Sequence, residues 1–152
     1  MRLTSFTDFA LRALMRLAGE PGRSFATSEI AAEFGISRNH LAKVVRDLAE
    51  AGFIATQRGA GGGFALARAP QAITLGEVVR ALEGDSTLVE CFRDDGGMCA
   101  LLPRCRLKAK LASAHEAFMR ELDGTTLAEC AWLPRPSKNT SKIPSRNPAR
   151  AR

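Results

Sequence analysis

Three cysteines lie close together in this 152-residue sequence: Cys91, Cys99 and Cys105 are separated by seven and then five residues. Thiolates at such spacing can hold zinc or an iron–sulfur cluster, or can serve as a thiol redox switch. Structural zinc sites usually have paired Cys-x-x-Cys spacing, which is absent here. The stretch therefore predicts a metal site first, with an iron–sulfur cluster favoured over zinc, a thiol redox sensor second and three unrelated cysteines third.

The N-terminal sequence indicates a cytoplasmic protein. Arg12 and Arg16 interrupt the apolar residues between Phe9 and Leu17, which is unlike the interior of a signal peptide. No apolar run approaches the roughly 18 residues that a membrane-spanning helix needs. Because the cytosol keeps thiols reduced, this location argues against structural disulfides between the cysteines.

The positive charge of the chain is confined to its C-terminal end. The sequence has 22 Lys and Arg against 16 Asp and Glu, but residues 1–133 are neutral overall. Residues 134–152 are rich in Pro, Ser and Asn, so they predict a disordered basic tail, for which a non-specific phosphate contact is one hypothesis. The six basic residues of the tail are Arg135, Lys138, Lys142, Arg146, Arg150 and Arg152.

A helix-turn-helix is predicted near the N-terminus. Apolar periodicity predicts helices over residues 8–18 and Thr27–Phe34, and a third helix from the N-cap Ser37 to Ala51. Gly35 between the last two helices is typical of the tight turn in this motif. The buried face predicted for the third helix consists of Leu41, Val44, Val45 and Leu48.

The opposite face of the third helix carries polar residues that could read DNA. Asparagine can pair with adenine, while arginine and lysine can bind guanine or phosphate. A solvated charged surface with no DNA contact is the alternative from this pattern alone. The candidate DNA-binding residues here are Ser37, Arg38, Asn39, His40, Lys43 and Arg46.

Residues 53–67 predict a β-hairpin with a glycine-rich tip, in which Arg58, Gly61 and Gly62 are further candidates for DNA contact. Glycine allows close backbone approach, and an arginine at the strand end supplies a cation. A phosphate-binding P-loop would need a Lys-Ser or Lys-Thr pair and a following helix, which this segment lacks. A hairpin after a helix-turn-helix indicates a winged helix.

Two further helices are predicted after the wing. Thr74 and Glu77 match a capping box for a helix that ends at Gly84, and Arg106–Leu122 carries one apolar stripe. The stripe predicts one of two arrangements. It could form a homodimer, which would present two recognition helices to palindromic DNA, or it could pack onto the DNA-binding domain of its own chain. Thr126 and Glu129 can cap one more short turn.

The fold class predicted from these elements is mainly α: a winged helix-turn-helix with a two-stranded wing and a long C-terminal dimerisation helix. The corresponding division of the chain is a DNA-binding domain over 1–84, a cysteine-rich loop over 85–106, a dimerisation helix with a short terminal helix over 107–133, and the tail.

The sequence resembles the winged-helix iron–sulfur regulators of the NsrR/IscR type. The resemblance lies in the order of its motifs: the opening residues 1–14, residues 30–48, the wing and the three cysteines. The resemblance covers about residues 1–130, and it is strongest to the nitric-oxide-sensing repressors of that family. It implies a homodimeric DNA-binding repressor, not an enzyme, with one iron–sulfur cluster (4Fe-4S or 2Fe-2S) per subunit. The cluster would control affinity for double-stranded palindromic promoter DNA.

Clusters usually take four protein ligands, and the loop offers three thiols. The resemblance implies that Asp8 of the partner subunit supplies the fourth. From the sequence alone, Asp8 also fits a capping box that begins at Ser5. Rival fourth ligands are Cys130, His40, His115, solvent or a small thiol. The signal is likewise open between nitric oxide, iron or cluster supply, and thiol redox state.

Overall fold

The computed structural model describes residues 3–57, 59, 62–84, 88–93 and 95–134. The predicted tail from Arg135 onward, and the predicted DNA contacts Arg58 and Gly61, lie outside the described residues. Over the described residues the fold is mainly helical with one antiparallel hairpin, as predicted for a winged helix. Its elements are α1 (Ser5–Gly19), α2 (Thr27–Phe34), α3 (Arg38–Glu50), β1 (Ile54–Gln57), β2 (Gly63–Leu66), α4 (Leu75–Glu83) and α5 (Arg106–Asp123).

Helix α1 begins three residues earlier than its apolar periodicity predicted. Its N-cap is Thr4, whose hydroxyl accepts a hydrogen bond from the backbone N–H of Thr7 at 3.2 Å. The Ser5 cap expected from the sequence is therefore wrong by one residue. Threonine and serine are both good N-caps, so local sequence could not choose between these neighbours.

The helix-turn-helix follows the prediction closely. Gly35 ends α2 with φ 63°, a left-handed conformation that glycine adopts without a side-chain clash. Ser37 then caps α3, because its hydroxyl accepts from the backbone N–H of His40 at 3.2 Å. The buried residues of α3 are the four predicted ones: Leu41, Val44, Val45 and Leu48.

The wing is fastened to the body of the domain at its second strand. Strands β1 and β2 pair antiparallel, with Ile54 opposite Leu66 and Gln57 opposite Gly63. Phe64 is fully buried, and its backbone exchanges two 2.9 Å hydrogen bonds with Phe25 just before α2. A side chain at Gly63 would collide with the carbonyl of Phe25, so this close approach requires glycine.

Helices α1, α2, α3 and α4 share one apolar core, which also includes a residue that follows α5. Leu127 is fully buried within it, although it lies in a 3₁₀ helix that follows α5. The backbone N–H of Leu127 donates to the carbonyl of Ile73 at 2.8 Å. The capping boxes predicted for Thr74 with Glu77 and for Thr126 with Glu129 are both present beside this junction.

Helix α5 lies outside that core. Met119 is its one buried residue, and Leu107 from the predicted apolar stripe is 62% exposed. Arg80 on α4 donates two hydrogen bonds to the Asp123 carboxylate, which holds the two helices together. The stripe is therefore only partly covered by its own chain. Among the described residues no helix has both the length and the apolar composition needed to cross a membrane.

Candidate metal centre and nucleic-acid interface

The three clustered cysteines converge on one cavity of about 210 Å³. Cys91 lies in a 3₁₀ helix, Cys99 lies in the following loop, and Cys105 is the N-cap residue of α5. All three are free thiols and are half-buried. The other residues that line the cavity are Val89, Glu90, Leu101, Leu107, Lys108 and Leu111.

A close backbone approach within the loop brings the first two cysteines together. Gly97 has φ 59° and lies against Glu90, so that any side chain at Gly97 would collide with both the side chain and the backbone of Glu90. The Glu90 carboxylate also accepts a hydrogen bond from the backbone N–H of Met98. Because these residues adjoin Cys91 and Cys99, the contact sets both thiols at the same cavity.

The cavity collects donors suited to a soft metal centre, because thiolates are the usual ligands of iron–sulfur clusters. The side chains are not already grouped as metal ligands: in the part of the chain that the structure describes, no set of three or more His, Cys, Asp or Glu residues could hold a metal ion. Three thiols are the kind of donor that an iron–sulfur cluster takes, but a ligand set would require these side chains to move closer together.

The predicted fourth ligands occupy different places. Asp8 lies on α1, where both its oxygens bond to Arg12, the closer at 2.7 Å. It is not one of the residues that line the cysteine cavity. His115 and Cys91 share the lining of a neighbouring cavity of about 300 Å³. His40 belongs to α3, and Cys130 ends the C-terminal 3₁₀ helix. Ligation by Asp8 of the partner subunit stays a prediction.

The predicted DNA-reading face of α3 is exposed. Arg38, Asn39, His40 and Lys43 all present exposed side chains, whereas Arg46 bonds to the Asp47 carboxylate at 3.0 Å. The Ser37 hydroxyl oxygen already accepts the hydrogen bond that caps the helix. A contact of Ser37 with DNA would therefore have to use the same hydroxyl group. At the wing, Gly62 is half-buried. DNA contact by these residues remains a prediction.

A buried arginine that the sequence analysis missed links α1 to α2. Arg16 is 3% exposed and pairs with Glu20 at 2.7 Å and with Glu33 at 3.1 Å. Burial alone would lower the pKa of Arg16, but the hydrogen bonds and charges of the two carboxylates raise it above its ordinary value. Its guanidinium also lies 4.6 Å from the ring centre of Phe25. The one sequence signal for this ion pair was the spacing of Arg16 and Glu20, which are four residues apart.

This arrangement of a capped recognition helix followed by a hairpin wing defines a winged-helix transcriptional regulator. The family described as Rrf2, iron-dependent transcriptional regulator, matches residues 3–131. The HTH-type transcriptional regulator NsrR of Geobacillus kaustophilus is 45% identical over 130 residues, which cover 85% of this chain and 88% of that protein. The chain therefore belongs to the Rrf2 family of transcriptional regulators.

Solved structures agree with this assignment. CymR, the global cysteine regulator of B. subtilis, superposes with a TM-score of 0.72 at 29% identity, covering 86% of this chain and 96% of CymR. IscR of T. potens superposes with a TM-score of 0.67 at 26% identity, covering 85% of each chain. These relatives confirm the winged-helix fold over the larger part of the sequence.

Proposed function

We propose that this regulator is a homodimeric repressor that senses nitric oxide through one iron–sulfur cluster per subunit and thereby changes its affinity for palindromic promoter DNA. The observation that carries the proposal is the convergence of Cys91, Cys99 and Cys105 on one cavity. The resemblance to nitric-oxide-sensing repressors favours that signal over iron supply. When bound, the cluster would supply iron atoms with which nitric oxide can react.

The ligands would be the three cysteines and, from the partner subunit, Asp8. Within one chain the Asp8 carboxylate pairs with Arg12, and both side chains are nearly half exposed. An exposed i,i+4 ion pair of this kind contributes only about 0.3–0.5 kcal/mol. The carboxylate can therefore leave Arg12 at small cost, and the pair does not oppose ligation.

The chain offers a continuous set of contacts between the cysteine loop and the recognition helix. Cys105 leads directly into α5, which the pair of Arg80 and Asp123 holds to α4. At the end of α4, the Glu83 carboxylate accepts from the backbone N–H and hydroxyl of Thr4, at 2.9 and 3.0 Å. Thr4 caps α1, which packs on α3. A change in the loop could act on DNA affinity along this route, with a coupling of about 1–3 kcal/mol.

The incompletely covered side of α5 supports a second copy of the chain as partner. Leu107 is 62% exposed and Leu101 is 67% exposed, and both line the cysteine cavity. Apolar side chains grouped at a surface mark an interaction site. A two-fold dimer would cover them and would present two α3 helices to one palindrome.

The exposed polar face of α3 would make the sequence-reading contacts. Asn39 and Arg38 are the residue types that pair bidentately with adenine and guanine. Replacing Arg38 with Ala should weaken operator binding by about 1–3 kcal/mol and relax preference at one base pair. Arg120→Ala, which removes the same charge from an exposed position on α5, is the control and should leave base preference unchanged.

The test of cluster sensing begins with protein purified without oxygen. Iron and acid-labile sulfide should be stoichiometric with the chain. Duplexes selected from a random pool by this protein should be released on titration with nitric oxide. Cys99→Ser should lose iron, sulfide and the nitric-oxide response together. Cys130→Ser is a matched control, because Cys130 is also a half-buried free thiol but does not line the cavity.

Three outcomes would overturn the proposal in different ways. If the protein holds iron and sulfide but releases DNA on iron starvation and not on addition of nitric oxide, it would be a regulator that senses cluster supply. Neither iron nor sulfide, with DNA release on thiol oxidation, would indicate a thiol redox regulator. An intact nitric-oxide response in Cys99→Ser would exclude the cavity as the sensing site.

A further inference from the structure

The base of the wing is held from two sides. On one side, β1 follows α3 closely, and the backbone N–H of Phe53 donates to the carbonyl of Leu48 at 3.0 Å. On the other side, β2 is joined to the loop before α2 by the two hydrogen bonds between Phe64 and Phe25. Because the first attachment is to the recognition helix itself, the second attachment, at Phe25, sets the direction in which the wing leaves the domain.

Phe25 is in turn held by two arginines. Its side chain is fully buried, and the guanidinium carbons of Arg16 and Arg23 lie 4.6 and 4.2 Å from its ring centre. Cations over an aromatic ring are attracted by the negative charge of its face. Arg16 reaches the ring from α1, and Arg23 reaches it from the loop after α1. The position of Phe25 therefore depends on where these two guanidinium groups are held.

Three carboxylates fix the two guanidinium groups. Arg16 donates from Nε to both oxygens of Glu33 on α2, each at 3.1 Å, and from Nη2 to Glu20 at 2.7 Å. Arg23 donates to the same Glu20 carboxylate at 3.2 Å and also to Glu29 on α2. The network therefore joins the support of the wing to α1 and to α2, the first helix of the helix-turn-helix.

The buried guanidinium of Arg16 specifies position more than it adds stability. Its Nη1 atom is buried with no hydrogen-bond partner among the described residues. A buried donor without a partner opposes folding, and a buried ion pair is often no more stabilising than apolar residues of similar volume. Unlike apolar packing, however, the pair requires one geometry, because Nε and Nη2 must each meet a different carboxylate. Such a residue selects one arrangement of the elements that it joins.

We propose that Arg16 is a positioning residue for DNA binding: through Phe25 it holds the wing at a fixed angle to α3, so that wing and helix meet one duplex together. This inference rests on the proposed DNA contacts of α3 and the wing. Arg16 itself needs no contact with DNA. Two binding elements held in a fixed relative position act at high effective concentration, and a loosely held wing would lose part of that gain.

The test uses full-length variants and duplexes that the natural chain selects from a random pool. Arg16→Met keeps the apolar stem and removes the charged fork, while Glu33→Gln keeps the shape of its partner without the charge. Val79→Ala is the control for lost stability, because Val79 is buried on α4 but is not part of the core cluster that contains Phe25. Fluorescence anisotropy measures affinity at a temperature where urea unfolding shows every variant to be folded.

Arg16→Met should bind DNA about threefold to tenfold more weakly than the natural chain, as expected when one of two linked contacts is loosened. Glu33→Gln should lose less, because its amide oxygen can still accept from Nε. Arg16→Lys should recover part of the loss, since it keeps the cation without the planar fork. Val79→Ala should bind like the natural chain. Natural affinity in Arg16→Met, or an equal loss in Val79→Ala, would overturn the inference.

Hydrogen exchange of the DNA-free protein shows whether the change arises at the wing. The backbone N–H groups of Phe25 and Phe64 form the two hydrogen bonds that fasten β2, whereas that of Leu48 lies inside α3. In Arg16→Met, exchange at Phe25 and Phe64 should accelerate at least about threefold more than at Leu48, because local opening becomes easier. Val79→Ala should change the three sites by similar factors. Equal acceleration at all three sites in Arg16→Met would overturn the positioning role.

Arg38→Ala separates this inference from the proposed function. Weaker binding by Arg38→Ala together with natural affinity in Arg16→Met would refute the positioning role alone. Natural affinity in Arg38→Ala would count against DNA reading by α3, and the exchange rates at Phe25 and Phe64 would still decide whether Arg16 holds the wing.

Discussion

The helix-turn-helix head, residues 5–84, and the cysteine region, residues 88–123, are held together in different ways. The head has a continuous core in which Leu14, Leu41 and Leu48 are fully buried. Among the described residues of the cysteine region, Met119 is the one buried side chain, and Met98 is 95% exposed. The head is therefore stabilised by apolar packing, to which Leu127 also contributes, whereas the described part of the cysteine region has little buried apolar packing.

That difference suits a regulator. A recognition helix must keep its shape whether or not the signal is present, and a buried core provides this. A part that senses a signal, as proposed for the cysteine region, must change state, and regions that move are those with few buried apolar contacts. A bound cluster and a second subunit would each add stability to the cysteine region alone, because ligands stabilise the state that they bind.

The largest expected effect tests the contrast in packing. Leu41→Ala removes a fully buried side chain from α3 and should lower the free energy of unfolding by about 2–5 kcal/mol. Leu101→Ala changes a side chain that is 67% exposed and should cost less than about 0.5 kcal/mol in metal-free monomer. Urea unfolding of both variants measures the difference. Similar losses at the two sites would remove the distinction between the regions.

The next effect concerns the partner subunit. Leu107→Glu places a charge on the exposed side of α5 and should raise the dissociation constant of the proposed dimer by about 100-fold or more, since burying an unpaired charge costs several kcal/mol. Sedimentation equilibrium measures this constant. Ala109→Glu introduces the same charge at another exposed position of α5 and serves as control. If neither change alters the dimer, the partner covers a different surface.

A smaller effect tests how closely α4 and α5 pack against each other. A side chain at Gly76 would collide with the Asp123 carboxylate, which is bonded to Arg80. Overpacking costs about 1–3 kcal/mol, while Ala gains about 1 kcal/mol of helix propensity over Gly. Gly76→Ala should therefore destabilise by about 1 kcal/mol in thermal or urea unfolding. In an Asp123→Ala background the same change should become neutral or stabilising, and an unaltered cost there would refute the clash.

The smallest effect is a pH dependence at Glu83, which joins α4 to α1. Burial opposes ionisation, but hydrogen bonds from Thr7 and Thr4 outweigh it and lower the pKa of Glu83 below its ordinary value. A lowered pKa stabilises the fold above the unfolded pKa, about 4.5, and this contribution is lost as the pH falls through the folded value.

Glu83→Gln should therefore cost less than about 1 kcal/mol at pH 7, and its difference from the natural chain should shrink below pH of about 4.5. Urea unfolding at several pH values checks this, with the exposed Glu121→Gln as control. A difference that stays constant down to pH 3 would show that the carboxylate charge plays no part.

The sequence predicted those features that depend on local signals. The cap at Ser37, the turn at Gly35 and both capping boxes were found because each is encoded within a few residues. The buried stripe of α3 was found because its period is helical. The cysteine site was predicted from residue type. The approach of Gly97 to Glu90, which brings the thiols together, is a tertiary contact that no local sequence pattern indicates.

Features that join distant segments could not be predicted in this way. Phe34 ends the predicted second helix, but nothing near it specified Trp132 as its neighbour. Leu127 occurs in a short segment that gives no periodic signal, although it is fully buried. Arg16 was taken as evidence against a signal peptide, and its burial depends on Glu33, which is 17 residues away.

The burial of Leu127 in the core has a consequence for the synthesis of the protein. Because the core built by α1 to α4 also includes Leu127, which follows α5, its packing is incomplete while that residue is still inside the ribosome. Folding of the recognition unit should then be completed only after synthesis has passed Leu127, since non-local contacts form late. A chain cut short before Leu127 would carry every recognition residue and still lack a closed core, so an incomplete translation product would be a poor competitor for promoter DNA.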